Sequence, residues 1–398
     1  MSRITSAIYI LPKSNYFTEG GRGRVTHAIG VANGLFRNGL HVTVVSGPGL
    51  ARFRSQLEKG VELVEIPKSC RKKAFLWEPS WQLRLLLHMK SLLRRDKDPV
   101  IITRYGPSSM FLQFLLAKGL LARRLVTAEV NSLAFHHFRR LPPYARRLML
   151  RTESRFLALF DEIHVVSKQL EEDILSTGIT KPVIVVPNAS DVKRGFIHQG
   201  NLKTWPLRLI YLGQYHSYYD FRFFLTAFCT MAESQDNAEL HFWGNGHLRK
   251  EISVTKNLES RIVFHGPYRL QDLEGQFNRA SDVFILPSKP GSRAEITSPI
   301  KLFEYMSLGI PVVAADLGQV SEILQDRVTG YLYDPLDVRS LQELLWHIVK
   351  NPKERVSVGK RARKELESSH TWEKRMEFLI DELNRLRRRH VHFAGSRR

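Results

Sequence analysis

The chain has 398 residues, 43% hydrophobic and 25% charged, which is globular usage for two or three domains and excludes wholesale disorder and repeat or fibrous architectures. Its two cysteines, Cys70 and Cys229, exclude a disulfide framework and a four-thiolate zinc site, and fit a reducing compartment. The net charge of +21 is uneven: residues 1–198 hold 31 Lys and Arg against 15 Asp and Glu, residues 199–384 hold 23 against 24, and the last fourteen residues add six arginines.

The apolar run at 7–11 is too short for a signal segment and reads as a first buried strand. Gly20-Gly21-Arg22-Gly23 follows it and precedes a helix predicted over 24–38, with Gly39 at the C-cap position. Glycines there let the backbone approach a phosphate at a helix N-terminus. The spacing is not the dinucleotide fingerprint, and no carboxylate ends the second strand to hold a ribose. Strands follow at 41–46, 61–66, 100–103, 125–129, 162–167 and 183–186. Two basic helices lie between them. In the first, 77–95, Trp81, Leu83, Leu86, Leu87 and Leu93 are expected to share an apolar face, with Arg84, His88, Lys90, Arg94 and Arg95 elsewhere. In the second, within 141–160, Arg147, Arg151 and Arg155 recur at i, i+4, i+8 and line one face.

Residues 187–206 are polar and punctuated by Pro187 and Pro206, which marks a break. Strands then resume at 207–212, 239–243, 262–265, 282–287 and 311–314. Helices are expected at 221–233, 270–279, 300–308, 338–350, 352–368 and 372–389. Strands alternating with helices predict parallel βαβ units and two doubly wound α/β domains. The expected division is 1–190, a linker at 191–206, 207–370, and a C-terminal helix and basic tail at 371–398. A ligand is expected at the carboxyl ends of the strands, in a cleft between the domains.

Residues 282–316, DVFILPSKPGSRAEITSPIKLFEYMSLGIPVVAAD, carry the densest signal. A strand ends at Pro287-Ser288, a loop follows, and a helix begins near Pro299. Ser298 suits an N-cap and Pro299 the first helical position. The N–H groups of such an end hold anions. Lys301, in the first turn, opposes the helix dipole, a conflict that a bound diphosphate would remove. Glu304 is placed to accept hydrogen bonds from a diol such as ribose. The plainer alternative is a capped surface helix.

Four segments in order resemble glycosyltransferase family 4, of the two-domain GT-B fold. They are GGRGRVTHAIGVANGLFRNGLHVTVVS, DEIHVVSKQLEEDILSTGITKPVIVVPNASD, LRLIYLGQYHSYYDF with ELHFWGNG, and SPIKLFEYMSLGIPVVA. The resemblance implies a retaining enzyme using a nucleotide diphosphate sugar, with no metal or other cofactor. It implies donor binding by Gly20, Gly21, Gly213, Gln214, Gly244, Ser298, Pro299, Ile300, Lys301 and Glu304. A second family carboxylate falls on Ile296, with Glu295 one residue back; a one-residue loop adjustment would let Glu295 face the transferred sugar. The family's usual Arg and Lys, which neutralise the leaving diphosphate, fall on Gln214 and about Tyr219. Neither is charged, and Lys301, Arg293 and Lys289 are the candidates to compensate. Glu129, at the end of its strand with Asn131, is the candidate for acceptor orientation or proton handling. His136 and His137 are expected to be packing or surface residues.

Asp96-Lys97-Asp98 ends a basic helix and reads as surface rather than a metal motif. Asn188-Ala189-Ser190 is a sequon expected to go unused without secretion. The function expected is transfer of a sugar to a glycan or lipid-linked acceptor in cell-surface polysaccharide or glycolipid synthesis. The expected location is cytoplasmic, peripheral on the inner membrane face. Arg84, Lys90, Arg94, Arg147, Arg151 and Arg155 would form the membrane or acceptor face. The main alternative is an impaired GT-B protein that binds nucleotide sugars or membrane partners. A GT-B sugar epimerase is disfavoured by the SPIKLFEYMSLG run, and nucleic-acid binding has charge alone behind it.

Overall fold

In a computed structural model the described residues are 3–11, 22–67, 74–96, 98–106, 124–133, 136, 138, 141–192, 197–198, 206–234, 238–246, 248–249, 252, 256–268, 273, 275–278 and 281–395. The chain forms two compact units, Met1–Asn188 with Trp372–Arg398, and Ala189–Thr371.

The first unit runs β1 (Ser6–Ile10), α1 (Arg22–Arg37), β2 (His41–Ser46), β3 (Glu62–Glu65), α2 (Ala74–Arg95), β4 (Val100–Arg104), β5 (Val126–Val130), α3 (Pro143–Leu157), β6 (Glu162–Val165), α4 (Lys168–Leu175) and β7 (Val183–Val185). All seven strands are parallel, in the order β3-β2-β1-β4-β5-β6-β7. β1, β5 and β6 are buried throughout, so their sequences read as continuous runs rather than alternating ones. Gly39 takes φ +85° just beyond α1, and its N–H closes the helix on the Phe36 carbonyl (2.9 Å). Ser167 caps α4 by accepting from the Leu170 N–H (3.3 Å).

α2 corrects one expectation. Its buried side is Trp81, Leu85, Met89 and Leu92, at i, i+4, i+8 and i+11, with the Trp81 indole N–H donating to the Ile66 carbonyl (3.0 Å). Leu83 and Leu87 face away and are exposed. The 100° step per residue sets them opposite the middle of that buried arc, while Leu86 and Leu93, on its flank, pack on the core as expected.

The second unit contains β8 (Ile197–His198), β9 (Leu207–Leu212), α5 (Phe221–Ser234), β10 (Ala238–Trp243), β11 (Ile262–Gly266), β12 (Phe277–Asn278), β13 (Asp282–Leu286), α6 (Ile300–Leu308), β14 (Val312–Ala315), α7 (Gln319–Ile323), β15 (Tyr331–Tyr333), α8 (Val338–Lys350) and α9 (Pro352–Ser369). Six parallel strands run β11-β10-β9-β13-β14-β15. A separate pair joins β12 to β8. Phe277 and Asn278 were expected inside a helix over 270–279, but they pair in register with Ile197 and His198, so backbone pairing takes that stretch. The core is dense in aromatics, including Tyr211, Phe221, Phe242, Phe284 and Tyr305.

α10 (Trp372–Gly395) follows α9 in the chain but packs on the first unit. Gly30 and Gly34 of α1 make the contact. A Cβ on Gly30 would lie 2.1 Å from the Trp372 ring, and one on Gly34 2.6 Å from the Trp372 carbonyl oxygen. Two glycines one turn apart thus open the groove that Trp372 fills. The Ile4 N–H donates to Asn384 (3.0 Å), and Arg387 pairs with Asp98.

Candidate active site

Each unit gathers a polar centre at the carboxyl ends of its strands, beside the point where the strand order reverses. In the first unit that point lies between β1 and β4. Glu129, buried on β5, accepts from the Tyr9 hydroxyl of β1 (2.7 Å). Its other oxygen pairs with His27 of α1 (2.7 Å) and Arg104 of β4 (3.3 Å). The second ring nitrogen of His27 meets the Asn188 side-chain oxygen (2.5 Å). With its amide nitrogen turned toward Glu129 (3.2 Å), Asn131 also accepts from Arg104. Burial alone raises a carboxyl pKa, but the His27 and Arg104 charges and the bonds from His27 and Tyr9 outweigh it and bring Glu129 to about 2. Glu129 is therefore an ionised hub at neutral pH, with no proton to give. A pocket beside it is lined by His27, His164, Pro187, Trp372 and Met376 among others.

The sequence pointed to Glu129 but not to Tyr9, His27 or Arg104. These lie on three other elements and carry no local motif. Asn188, read as a sequon, is a buried partner of His27. His136 is a packing residue: it is buried, accepts from the Leu133 N–H (3.2 Å) and pairs with Asp173 (2.8 Å). Gly20, Gly21 and His137 lie outside the described residues.

In the second unit the reversal lies between β9 and β13. Gly213 follows β9 and Gly244 follows β10, at φ +129° and +122°. Only glycine fits Gly244, because a Cβ there would sit 2.0 Å from the Gly213 carbonyl oxygen. β13 leads through the loop to α6. Pro299, not Ser298, occupies the N-cap, at φ −75° and ψ 109°, and Ile300 is the first helical residue. A proline ring fixes φ near the helical value but leaves ψ free to be extended, so Pro299 ends the loop one residue later than expected. The N-cap residue Pro299 has no side chain to bond the first N–H groups of α6, and such a helix N-terminus suits an anion. Ser298 is buried beside it.

Lys301 and Glu304 follow on α6, one turn apart. The Lys301 ammonium donates to the Tyr211 hydroxyl (2.7 Å) and the Tyr219 hydroxyl (3.4 Å), and stands 4.4 and 4.7 Å from those ring centres. It lies against Gly213, where a Cβ would come within 2.6 Å of Nζ. Burial lowers its pKa to about 7, against the opposing pull of Glu304. Gln214 is exposed, and its carbonyl accepts from the Tyr211 hydroxyl (2.6 Å). Tyr219 is buried. Tyr211 was missed from the sequence because a strand tyrosine has no distinguishing pattern.

The loop before α6 is self-braced. The Gly291 N–H donates to the Glu295 carboxylate (2.7 Å), and Ser292 accepts from the Ala294 N–H (3.1 Å). Ile296 is buried in the core, so of the two adjacent positions only Glu295 presents a polar group in this loop. The six basic residues expected on a surface, Arg84, Lys90 and Arg94 of α2 and Arg147, Arg151 and Arg155 of α3, are all exposed.

Residues 21–194 match the family described as Glycosyltransferase Family 4, and residues 206–351 the family described as Glycosyl transferases group 1. A sulfoquinovosyl transferase of Arabidopsis thaliana is 30% identical over 149 residues, covering 30% of this chain and 28% of the relative. A lipopolysaccharide 1,6-galactosyltransferase of Escherichia coli is 30% identical over 125 residues, covering 29% and 32%. The matched segments thus span about a third of these relatives' length. Among solved structures, Anabaena HepE in complex with UDP and glucose superposes with a TM-score of 0.68 at 14% identity, over 95% of this chain and 99% of that one. A sucrose-phosphate synthase from Thermosynechococcus elongatus does so at 0.65 and 16%, over 98% and 100%. With one family domain covering most of each unit and the GT-B fold shared end to end, the chain belongs to the family 4 and group 1 glycosyltransferases.

Proposed function

We propose that the protein is a retaining glycosyltransferase that moves a sugar from a nucleotide diphosphate donor to a glycan or lipid-linked acceptor in cell-surface polysaccharide or glycolipid synthesis. The donor belongs to the second unit and the acceptor to the first. The observation that carries the reading is the α6 N-terminus, where the N-cap residue Pro299 offers no side-chain bond, with Lys301 held against Gly213. That arrangement suits a diphosphate, with Glu304 for the ribose and Glu295 for the transferred sugar. No resident metal enters the reading, because helix amides and a lysine supply the positive field. Glu129 serves as a positioning residue that fixes the acceptor-side strand ends.

Support for a membrane-associated acceptor comes from two exposed stripes. On α2, Leu83, Leu87, Lys90 and Arg94 recur at i, i+4, i+7 and i+11, with the leucines 60% and 62% exposed. On α3, Tyr144, Arg147, Leu148, Arg151 and Arg155 share one side, with Tyr144 76% and Leu148 66% exposed. Apolar and cationic side chains on one stripe suit an anionic lipid surface. Among the described residues no helix is long and apolar enough to cross a membrane. On the strength of the two stripes, the reading is of a cytoplasmic, peripheral protein on the inner face.

The test is thermal stability with UDP, GDP, ADP and their sugar conjugates, on the wild type and Glu304→Ala. A ligand at about 100 times its Kd stabilises by ~2.7 kcal/mol. A shift with one base that Glu304→Ala loses supports the donor site. No shift with any of them sinks it. The uncharged Gln214 and Tyr219 favour a second reading, a binder without turnover, which binding without release of the nucleotide in the presence of acceptor would identify.

A further inference from the structure

A nucleotide diphosphate leaving group needs a cation, and the family's two cation positions hold Gln214 and Tyr219. Three basic side chains are near in sequence. Lys289 is exposed, its backbone N–H tied to the Tyr218 carbonyl (2.9 Å). Arg293 sits in the braced turn at Arg293–Glu295, within electrostatic range of Tyr218. Lys301 is brought to the strand end itself, against Gly213.

Its setting is directional. The Tyr211 hydroxyl spends its proton on the Gln214 carbonyl (2.6 Å), so a lone pair is what it turns to the Lys301 ammonium (2.7 Å). The Tyr219 hydroxyl is the second acceptor (3.4 Å), and both rings offer their negative faces. Gly213 leaves the space: any side chain there would collide with Lys301 Nζ and Cε. These tyrosines stay neutral, because burial lifts both well above the ordinary tyrosine range. They hold the ammonium without cancelling its charge.

Resting on the donor reading above, we propose that Lys301 is the cation that meets the leaving diphosphate in this chain, carried on α6 and held by Tyr211 and Tyr219 in place of the family's Arg and Lys. In the transfer, the bond from the anomeric carbon to the diphosphate oxygen breaks, its electron pair stays on the diphosphate, and the acceptor oxygen bonds to that carbon and passes its proton to the departing diphosphate. Lys301 stabilises the negative charge that collects on the diphosphate oxygens. It exchanges no electron pair. On this view Gln214 and Tyr219 mark a relocated cation, and the protein remains competent for turnover.

The decisive measurement is the affinity of the full chain for each nucleoside diphosphate and for the matching nucleoside, by titration calorimetry, on wild type, Lys301→Met and Tyr211→Phe. Lys301→Met should weaken the diphosphate by about tenfold to a hundredfold, the size of a charge-assisted hydrogen bond, and leave the nucleoside within about twofold. Tyr211→Phe should weaken the diphosphate less, with the same selectivity. Equal diphosphate affinity in wild type and Lys301→Met overturns the assignment and leaves the donor site standing. No diphosphate or nucleoside binding by the wild type overturns both.

Discussion

Glu129 shows how a residue selected for chemistry is held by its surroundings. Against the opposing effect of burial, His27, Arg104 and the Tyr9 hydroxyl bring its pKa from the ordinary 4.5 to about 2. A folded-state pKa below the unfolded one stabilises above the unfolded value. That stability is lost as pH falls through about 4.5 toward 2. The contribution is on the order of 3 kcal/mol. Glu129→Gln should cost about 3 kcal/mol in urea unfolding at pH 7, because it strands His27 and Arg104, and should flatten the acid limb. An unchanged acid limb would mean the hub is not what holds these strand ends. The sequence made Glu129 visible through its place at the end of an apolar strand. It did not show His27 or Tyr9, whose contact with Glu129 spans 102 and 120 residues of chain. Lys301 and Glu304 were legible because one helix turn carries both. The tyrosines that hold Lys301 were not, since Tyr211 reads as one more strand aromatic.

At the scale of elements, α2 and α3 separate pattern from placement. The sequence marked both as basic helices. It merged the leucines of α2 into one face, and the packing divides them between the core and the exterior. Replacing Arg147, Arg151 and Arg155 together by Glu should abolish co-sedimentation with vesicles containing anionic lipid and leave neutral vesicles unbound as before, with little change in Tm. Retained binding would remove α3 from the lipid surface. The α1–α10 contact gives a sharper steric test. Gly30→Ala puts a methyl where the Trp372 ring lies, and overpacking of this kind costs about 1–3 kcal/mol. A neutral effect would show that α10 yields at that contact. Both glycines lie inside a regular helix, where glycine is disfavoured, so the sequence carried a hint of a close approach without naming its partner.

For the whole molecule, the C-terminal helix matters most. The chain enters the second unit after Asn188 and returns to the first at Trp372. Trp372, Met376, Leu379, Ile380, Leu383 and Leu386 bury one side of α10 on a unit whose other residues ended almost two hundred positions earlier. Ending the chain at Thr371 should destabilise the first unit selectively. Unfolding followed by intrinsic fluorescence should become two-step, with the nucleotide-induced stabilisation kept by the second unit. A single transition at the wild-type midpoint would mean α10 contributes nothing to the first unit.

The sequence by itself determined the two doubly wound units, most strand positions to within a residue or two, the signature helix and the surplus positive charge of the N-terminal half. These are legible because buried parallel strands, helix periodicity and turn glycines are local constraints that nearby residues must satisfy. Only the tertiary structure decided that residues 277–278 pair as a strand, that Leu83 and Leu87 face out, that α10 belongs to the first unit, and that Lys301 rests on two tyrosines against Gly213. Each of those outcomes depends on which distant surface a side chain or backbone edge meets, and on the desolvation and hydrogen bonding that follow. Such contacts leave no periodic trace in one linear sequence.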